Sequence, residues 1–192
     1  MRSLVRIFLT IGLTAAVGFA QNNRVSVTFV PQNKNPRFDA ATDEYRGIWA
    51  AEGSRIVAAM EQTTKLTFPE RNVKAEIYEG TSFSGRGGEP MLLRASYSAS
   101  VKKGTLVHEL GHRMNAQLKT RPQGLDEHRL LFLYLYDLWE NLYGKAFADS
   151  EVAWERTLKG RYDYDAAWTW ALTMTKDQRL ARFGDVLRAN RQ

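Results

Sequence analysis

The sequence predicts an α+β protein in which a small sheet precedes a largely helical second half. Short stretches of alternating apolar and polar residues, typical of half-buried strands, occur only before residue 98. From Thr105 onward the apolar residues recur at helical spacing, with breaks predicted near 121–124, Gly144, Gly160 and Gly184. Strands followed by helices favour α+β. The chain has 192 residues, of which 44% are hydrophobic, so it is long enough to form one domain with its own core.

The individual elements follow from the pattern of apolar residues. Arg24–Val30 alternates as a strand, and Asp43–Lys65 carries a helical apolar stripe that Gly53 weakens in its middle. Val73–Tyr78 and Met91–Tyr97 are predicted as two further strands. Between them, residues 82–90 form a loop with three glycines, which has neither the P-loop nor the dinucleotide-binding spacing.

The first twenty residues have the pattern of a secretory signal peptide. Arg2 and Arg6 precede the apolar stretch Ile7–Phe19, and the small residues Gly18 and Ala20 stand before Gln21. The apolar stretch is too short to span a bilayer well, so cleavage rather than anchoring is expected. The sequence therefore predicts a signal peptide over 1–20, a single mature domain over 21–192, and an exported protein, periplasmic or extracellular, without membrane association after cleavage.

Composition excludes several classes of site and partner. The chain has no cysteine, which excludes disulfides, thiol catalysis, cysteine zinc sites and iron–sulfur clusters. A net charge of +6 is a mild excess, and no nucleic-acid-binding pattern accompanies it. We therefore expect no nucleic-acid partner, and we expect the single domain to be a monomer.

One motif carries metal chemistry, namely the segment His108-Glu109-Leu110-Gly111-His112. Residues four apart lie one helical turn apart on the same face, so His108 and His112 can bind one Zn²⁺ at about 2.0–2.1 Å. Glu109 is placed to take a proton from a water on the metal. The apolar residues around the motif, including Leu106, Leu110 and Met114, face the opposite side of the helix, so the histidines are expected to point towards a cleft.

A third zinc ligand is expected shortly after the motif. Asp126, Glu127 and His128 open a predicted helix, Leu125–Tyr143, in which Asp126 suits the N-cap or first turn. His128 shares the inward face of this helix with Leu135 and Trp139, whereas Glu127 borders the polar face. His128 is therefore favoured as the third ligand, and Glu127 remains the alternative.

The exported start, the strand Met91–Tyr97 and the helix Thr105–His112 resemble those of the zincin metallopeptidases. The resemblance extends from about residue 73 to 143. It implies zinc bound by His108 and His112, Glu109 as the general base, and an extended substrate along Met91–Tyr97. The Gly-x-x-His continuation of metzincins does not follow His112, and the third-ligand motif of thermolysin-like enzymes is absent. The resemblance therefore implies a small single-domain zincin with its third ligand on a following helix.

These patterns predict an exported zinc peptidase, expected to be an endopeptidase, acting on a peptide or protein substrate. The alternative is a non-catalytic, zinc-containing binding or scaffold module of the cell envelope. Glu109 favours the enzyme, because a structural zinc site has no need of a base. A group that stabilises the transition state is not identified by the sequence, and the candidates stay open: Tyr134, Tyr136, Tyr162, Tyr164 and Arg161. The aromatic C-terminal helices are predicted as core, with a lid over the cleft as the alternative.

Overall fold

A computed structural model describes residues 25–85 and 88–191 and confirms the α+β class. Its strands are β1 (Ser26–Pro31), β2 (Asn72–Tyr78) and β3 (Met91–Arg94). The helices are α1 (Pro36–Thr64), α2 (Ala99–Asn115), α3 (Glu127–Phe132), α4 (Leu135–Tyr143), α5 (Lys145–Glu155), α6 (Tyr164–Leu172) and α7 (Lys176–Ala189). The predicted signal peptide lies outside the described residues. Within 25–85 and 88–191, no helix is long and apolar enough to cross a membrane.

The three strands form a parallel sheet in the order β1-β2-β3. Val27 is opposite Val73 and Phe29 is opposite Ala75, so buried side chains of adjacent strands share one face. The long helix α1 connects β1 to β2 and packs on both, as parallel neighbours require a crossover. Strand β3 therefore lies at an edge of the sheet, and it is followed in the chain by α2, which packs on it.

Helix α1 begins seven residues before its predicted start at Asp43. The side chain of Asn35 accepts a hydrogen bond from the backbone N–H of Arg37, and Pro36 occupies the first turn, where its missing N–H is not needed. Gly53 also has a packing role that the pattern did not predict. A Cβ at this position would lie 2.7 Å from the Trp49 ring, so the glycine makes room for the indole on the helix surface.

The structure contradicts the single helix predicted for Leu125–Tyr143. Asp126 caps α3 as predicted, accepting from the N–H of Arg129 at 2.8 Å, but the helix ends at Phe132 and α4 starts at Leu135. At the break, the buried Tyr134 hydroxyl donates to the Gly111 carbonyl oxygen at 3.1 Å. Because of this break, α3 packs on α2, whereas α4 packs on both α1 and α2.

Other predicted boundaries also shift. Helix α2 begins at Ala99, six residues before Thr105, and is capped by Ser98. Strand β3 ends at Arg94 rather than Tyr97. The predicted break at Gly144 is confirmed, since it separates α4 from α5, whereas Gly184 lies inside α7 and does not interrupt it.

Candidate metal centre

The structure brings the three histidines of the chain together. His108 and His112 lie on α2 and His128 lies on α3, and one ring nitrogen from each is within 4.8 Å of the others. His108 and His128 are buried, and His112 is partly buried. The His108 and His112 Nε2 atoms are 3.1 Å apart. Two nitrogens bound to one tetrahedral zinc at about 2.0–2.1 Å would be about 3.4 Å apart.

His128 adds a second indication that the group fits a metal. Its Nδ1 atom is buried, and it has no hydrogen-bond partner within the described part of the chain. A buried polar atom without a partner is costly, and a metal bond would satisfy it. Burial and the proximity of His108 lower the pKa of His128 to about 3, which keeps this ring neutral, as a ligand must be. The three imidazoles could therefore hold a metal ion.

Glu127, the alternative third ligand, does not belong to this group. Its carboxylate faces Arg121, with Oε1 3.6 Å from the guanidinium. His128 is buried, as its predicted inward orientation required. Leu135 and Trp139 nevertheless belong to α4 rather than to the helix of His128, so the shared helix face predicted for the three residues is wrong.

A close helix contact sets the distance between α3 and α2. A Cβ on Gly111 would be 2.5 Å from Leu131 Cδ1 and 3.3 Å from the Tyr134 hydroxyl oxygen. Leu131 and Tyr134 are fully buried, so neither can move away freely. The glycine of the motif therefore allows α3 to approach α2 closely enough for His128 to reach the other two histidines.

Gly111→Ala is accordingly expected to destabilise the fold by about 1–3 kcal/mol, because the added methyl overpacks the α2–α3 contact. It is also expected to weaken zinc binding. Gly47→Ala is a matched control, since its Cβ would meet nothing within 4 Å on helix α1. Chemical denaturation and a zinc titration of both variants provide the measurement. Equal stability of the two variants would contradict this account of Gly111.

Sequence reasoning missed Glu155, which orients His108. Glu155 Oε1 is 2.7 Å from His108 Nδ1, and Oε2 accepts from the Trp168 indole N–H at 2.8 Å. Desolvation lowers the pKa of His108, but the charge and hydrogen bond of Glu155 together with the charge of Glu109 outweigh it, so the pKa is raised overall. The contact fixes a proton on Nδ1 and leaves Nε2 facing the other histidines, as in carboxylate–histidine–metal arrangements.

The sequence carries a signal for Glu155. Ala148, Glu151, Val152 and Glu155 follow the spacing of one helix face, and all four are buried. Two carboxylates on a buried stripe are unusual, because carboxylates are rarely buried without partners. Such a stripe would have indicated buried polar contacts, although not their partner 47 residues away.

Glu151 is the second carboxylate of this stripe. It is 2% exposed, it accepts from Ser100 at 3.1 Å, and its Oε2 has no partner among the described residues. Burial, opposed by the hydrogen bond from Ser100 and aided by the charge of Glu155, raises the pKa of Glu151 to about 7. The folded state therefore favours the protonated carboxyl.

The pKa of Glu151 is about 4.5 in the unfolded chain and about 7 in the folded protein. The free energy of unfolding is therefore expected to fall as the pH rises from about 4.5 to about 7. Glu151→Gln removes this charge, so it should stabilise the protein at pH 8 by up to about 3 kcal/mol relative to wild type, and by little at pH 4. Urea denaturation across this pH range measures the difference, with the exposed Glu89→Gln as control. A pH-independent difference would contradict the assignment.

Glu109 lies at a cavity next to the histidines. It is 6% exposed, and together with His108 it lines a cavity of about 30 Å³. Burial, opposed by the charge of His108 and aided by that of Glu155, raises the pKa of Glu109 to about 7. The histidines were predicted to point towards a cleft. In the structure, residues of α3, α5 and α6 cover them, so that only a narrow space is left on this side of α2.

The structure corrects the position of the outer sheet edge. The backbone N–H and C=O of Leu92 both bond to Phe83, at 2.7 and 2.9 Å, and the N–H of Arg94 donates to Ser82 Oγ. The outer side of β3 is thus already paired, and residues 81–84 form the border next to the cavity. Arg113 holds this segment by donating to the Ser84 carbonyl oxygen and to the carboxylate of Glu70.

The structure separates the candidates for the group that stabilises the transition state into those near the histidines and those bonded elsewhere. Tyr134 and Tyr136 are committed elsewhere, to Gly111 and Asp149. The rings of Tyr162 and Tyr164 each lie 4.5 Å from the ring of His128, and Arg161 stacks on Tyr162. Tyr162 and Tyr164 are therefore part of the wall around the histidines.

Comparison of the chain with protein-family models, with curated proteins and with solved structures gave no significant match. The assignment of a function therefore depends on the geometry of the site itself.

Proposed function

We propose that this protein is an exported zinc-dependent peptidase in which His108, His112 and His128 bind the metal. The observation that carries the proposal is the combination of three converging imidazoles with Glu109 on the wall of the adjoining cavity. Three protein ligands and an accessible fourth position are typical of catalytic zinc sites, whereas structural sites use four protein ligands. The absence of cysteine leaves histidine and carboxylate as the available zinc ligands.

Zinc bound there would supply a Lewis acid that polarises a peptide carbonyl and makes a water acidic near neutral pH. Glu109 would accept the proton of the attacking water and pass it to the leaving amine. A pKa of about 7 suits both steps, because it lies near the operating pH. Glu155 would hold His108 in the tautomer whose Nε2 is free for the metal.

The surrounding residues would position the substrate and exclude solvent. Tyr162 and Tyr164 cover His128, and Tyr164 also lines the cavity. The substrate backbone would lie along residues 81–84, because this segment, not β3, borders the cavity. The predicted signal peptide supports export to the periplasm or the extracellular space, with a peptide or protein as substrate.

The non-catalytic alternative requires the same histidines but assigns no role to Glu109. A structural zinc would not need a carboxylate at an adjoining cavity, and the burial of Glu109 would only cost stability. Glu109 and its cavity therefore support the enzyme over the scaffold module.

A peptide-cleavage screen with the mature protein tests the proposal. The expected result is cleavage that a chelator abolishes and that added zinc restores. Stoichiometric zinc without cleavage of any peptide would favour the non-catalytic module instead. Cleavage that persists after the metal has been removed would contradict the proposed mechanism.

A further inference from the structure

We infer that the cavity next to Glu109 accepts a small, neutral side chain of the substrate and that Trp154 sets its size limit. The inference rests on the proposed peptidase function and names the residue type that the site selects beside the scissile bond.

The position of the cavity makes it a side-chain pocket. Thr105, His108 and Glu109 of α2 form one wall, and Trp154 and Glu155 of α5 form another. The remaining wall is formed by residues of the surrounding loops and of α6, namely Thr81, Ser82, Tyr97, Leu158 and Tyr164. A peptide bond placed for attack beside Glu109 would bring the side chain of a flanking residue to this cavity.

The size of the cavity restricts that side chain. Its volume is about 30 Å³. Since one water requires at least about 10–15 Å³ by the same kind of measure, the space holds about two waters. This suits the methyl of alanine or the hydroxymethyl of serine, and it is too small for leucine or phenylalanine.

An aromatic pair, Tyr97 and Trp154, lines the cavity. The ring of Trp154 stands edge-on to the ring of Tyr97, with centroids 5.0 Å apart and planes at 83°. Trp154 is only partly buried, so its removal opens space without emptying the main core. Trp154 is therefore the residue whose truncation should enlarge the pocket most.

Ionised side chains do not suit the cavity. Glu109 and Glu155 would repel an acidic residue. The side chains of lysine and arginine are too long for a volume of about 30 Å³. The Thr105 hydroxyl is buried and has no partner within the described residues, so it can bond a serine hydroxyl.

Peptides that differ only in one residue flanking the scissile bond test the inference. Two series, one for each side of the bond, carry Ala, Ser, Leu, Phe, Asp or Lys at the varied position. In one series, wild type should cleave the Ala and Ser peptides at least about tenfold faster in kcat/KM than the Leu and Phe peptides. Trp154→Ala should remove or reverse this preference. Trp170→Ala is the matched control, because Trp170, a residue of α6, lies under the guanidinium groups of Arg129 and Arg182 and does not line the cavity.

A binding measurement separates this inference from the peptidase proposal. Hydroxamates of alanine, leucine and phenylalanine are titrated calorimetrically into zinc-loaded wild type and Trp154→Ala. Tighter binding of the alanine compound to wild type, lost in Trp154→Ala, supports the pocket even if no peptide is cleaved. Cleavage without a size preference in either series, or a preference unchanged by Trp154→Ala, would overturn the inference while leaving the peptidase proposal intact.

Discussion

Glu109→Gln is expected to retain zinc and fold while losing hydrolysis by at least about 10²–10⁴-fold in kcat. Glutamine keeps the shape of the side chain but cannot take a proton, and Glu109 is not among the three converging nitrogen ligands. Relief of the buried charge should also leave the variant at least as stable as wild type at pH 8, because burial raises the pKa of Glu109.

The measurement combines kcat on a cleaved peptide, zinc content and a denaturation curve. Glu89→Gln, on the exposed end of the glycine-rich loop, controls for loss of a carboxylate elsewhere. If Glu109→Gln cleaves the peptide as fast as wild type, Glu109 is not the base. If it loses its zinc, Glu109 is a ligand or holds one in place, and the roles must be reassigned.

His128→Ala is expected to weaken zinc binding by orders of magnitude, because it removes one of three ring nitrogens within 4.8 Å of one another. Loss of a group that is hydrogen-bonded to a metal ligand lowers metal affinity by about 10–100-fold. Glu127→Ala should lower zinc affinity by less than that. The carboxylate of Glu127 pairs with Arg121 and is not among the converging ligand atoms, so its removal is expected to leave all three histidine ligands available.

A competitive titration with a zinc chelator compares the two variants. Circular dichroism confirms that both remain folded before affinity is compared. Loss of zinc from Glu127→Ala with His128→Ala intact would reverse the assignment. Equal, small losses in both variants would place the third ligand elsewhere.

The sequence predicted the fold class because strand and helix periodicities separate cleanly along this chain. Boundaries were less predictable, since they depend on caps such as Asn35 and Ser98 rather than on the apolar stripe. The division of the predicted helix Leu125–Tyr143 depends on a tertiary contact, the bond of Tyr134 to Gly111, which no local pattern contains.

The candidate site was predictable where its residues are close in sequence. His108, Glu109 and His112 were expected within one turn of one helix. They lie on α2, with the Nε2 atoms of the two histidines 3.1 Å apart. Glu155 was not predictable, because its partner lies on another helix and depends on how α5 packs. The outer edge of the sheet was wrongly assigned to β3 for a similar reason. Phe83 pairs with Leu92 only because the loop that precedes β3 folds back along this strand.

The zinc content of the purified mature chain tests the central claim most directly. Wild type, dialysed against metal-free buffer and analysed by plasma mass spectrometry, is expected to hold about one zinc per chain. The double variant of His108→Ala and His112→Ala is expected to hold almost none while it remains folded. A wild type without bound metal, or a double variant with as much zinc as wild type, would contradict the account.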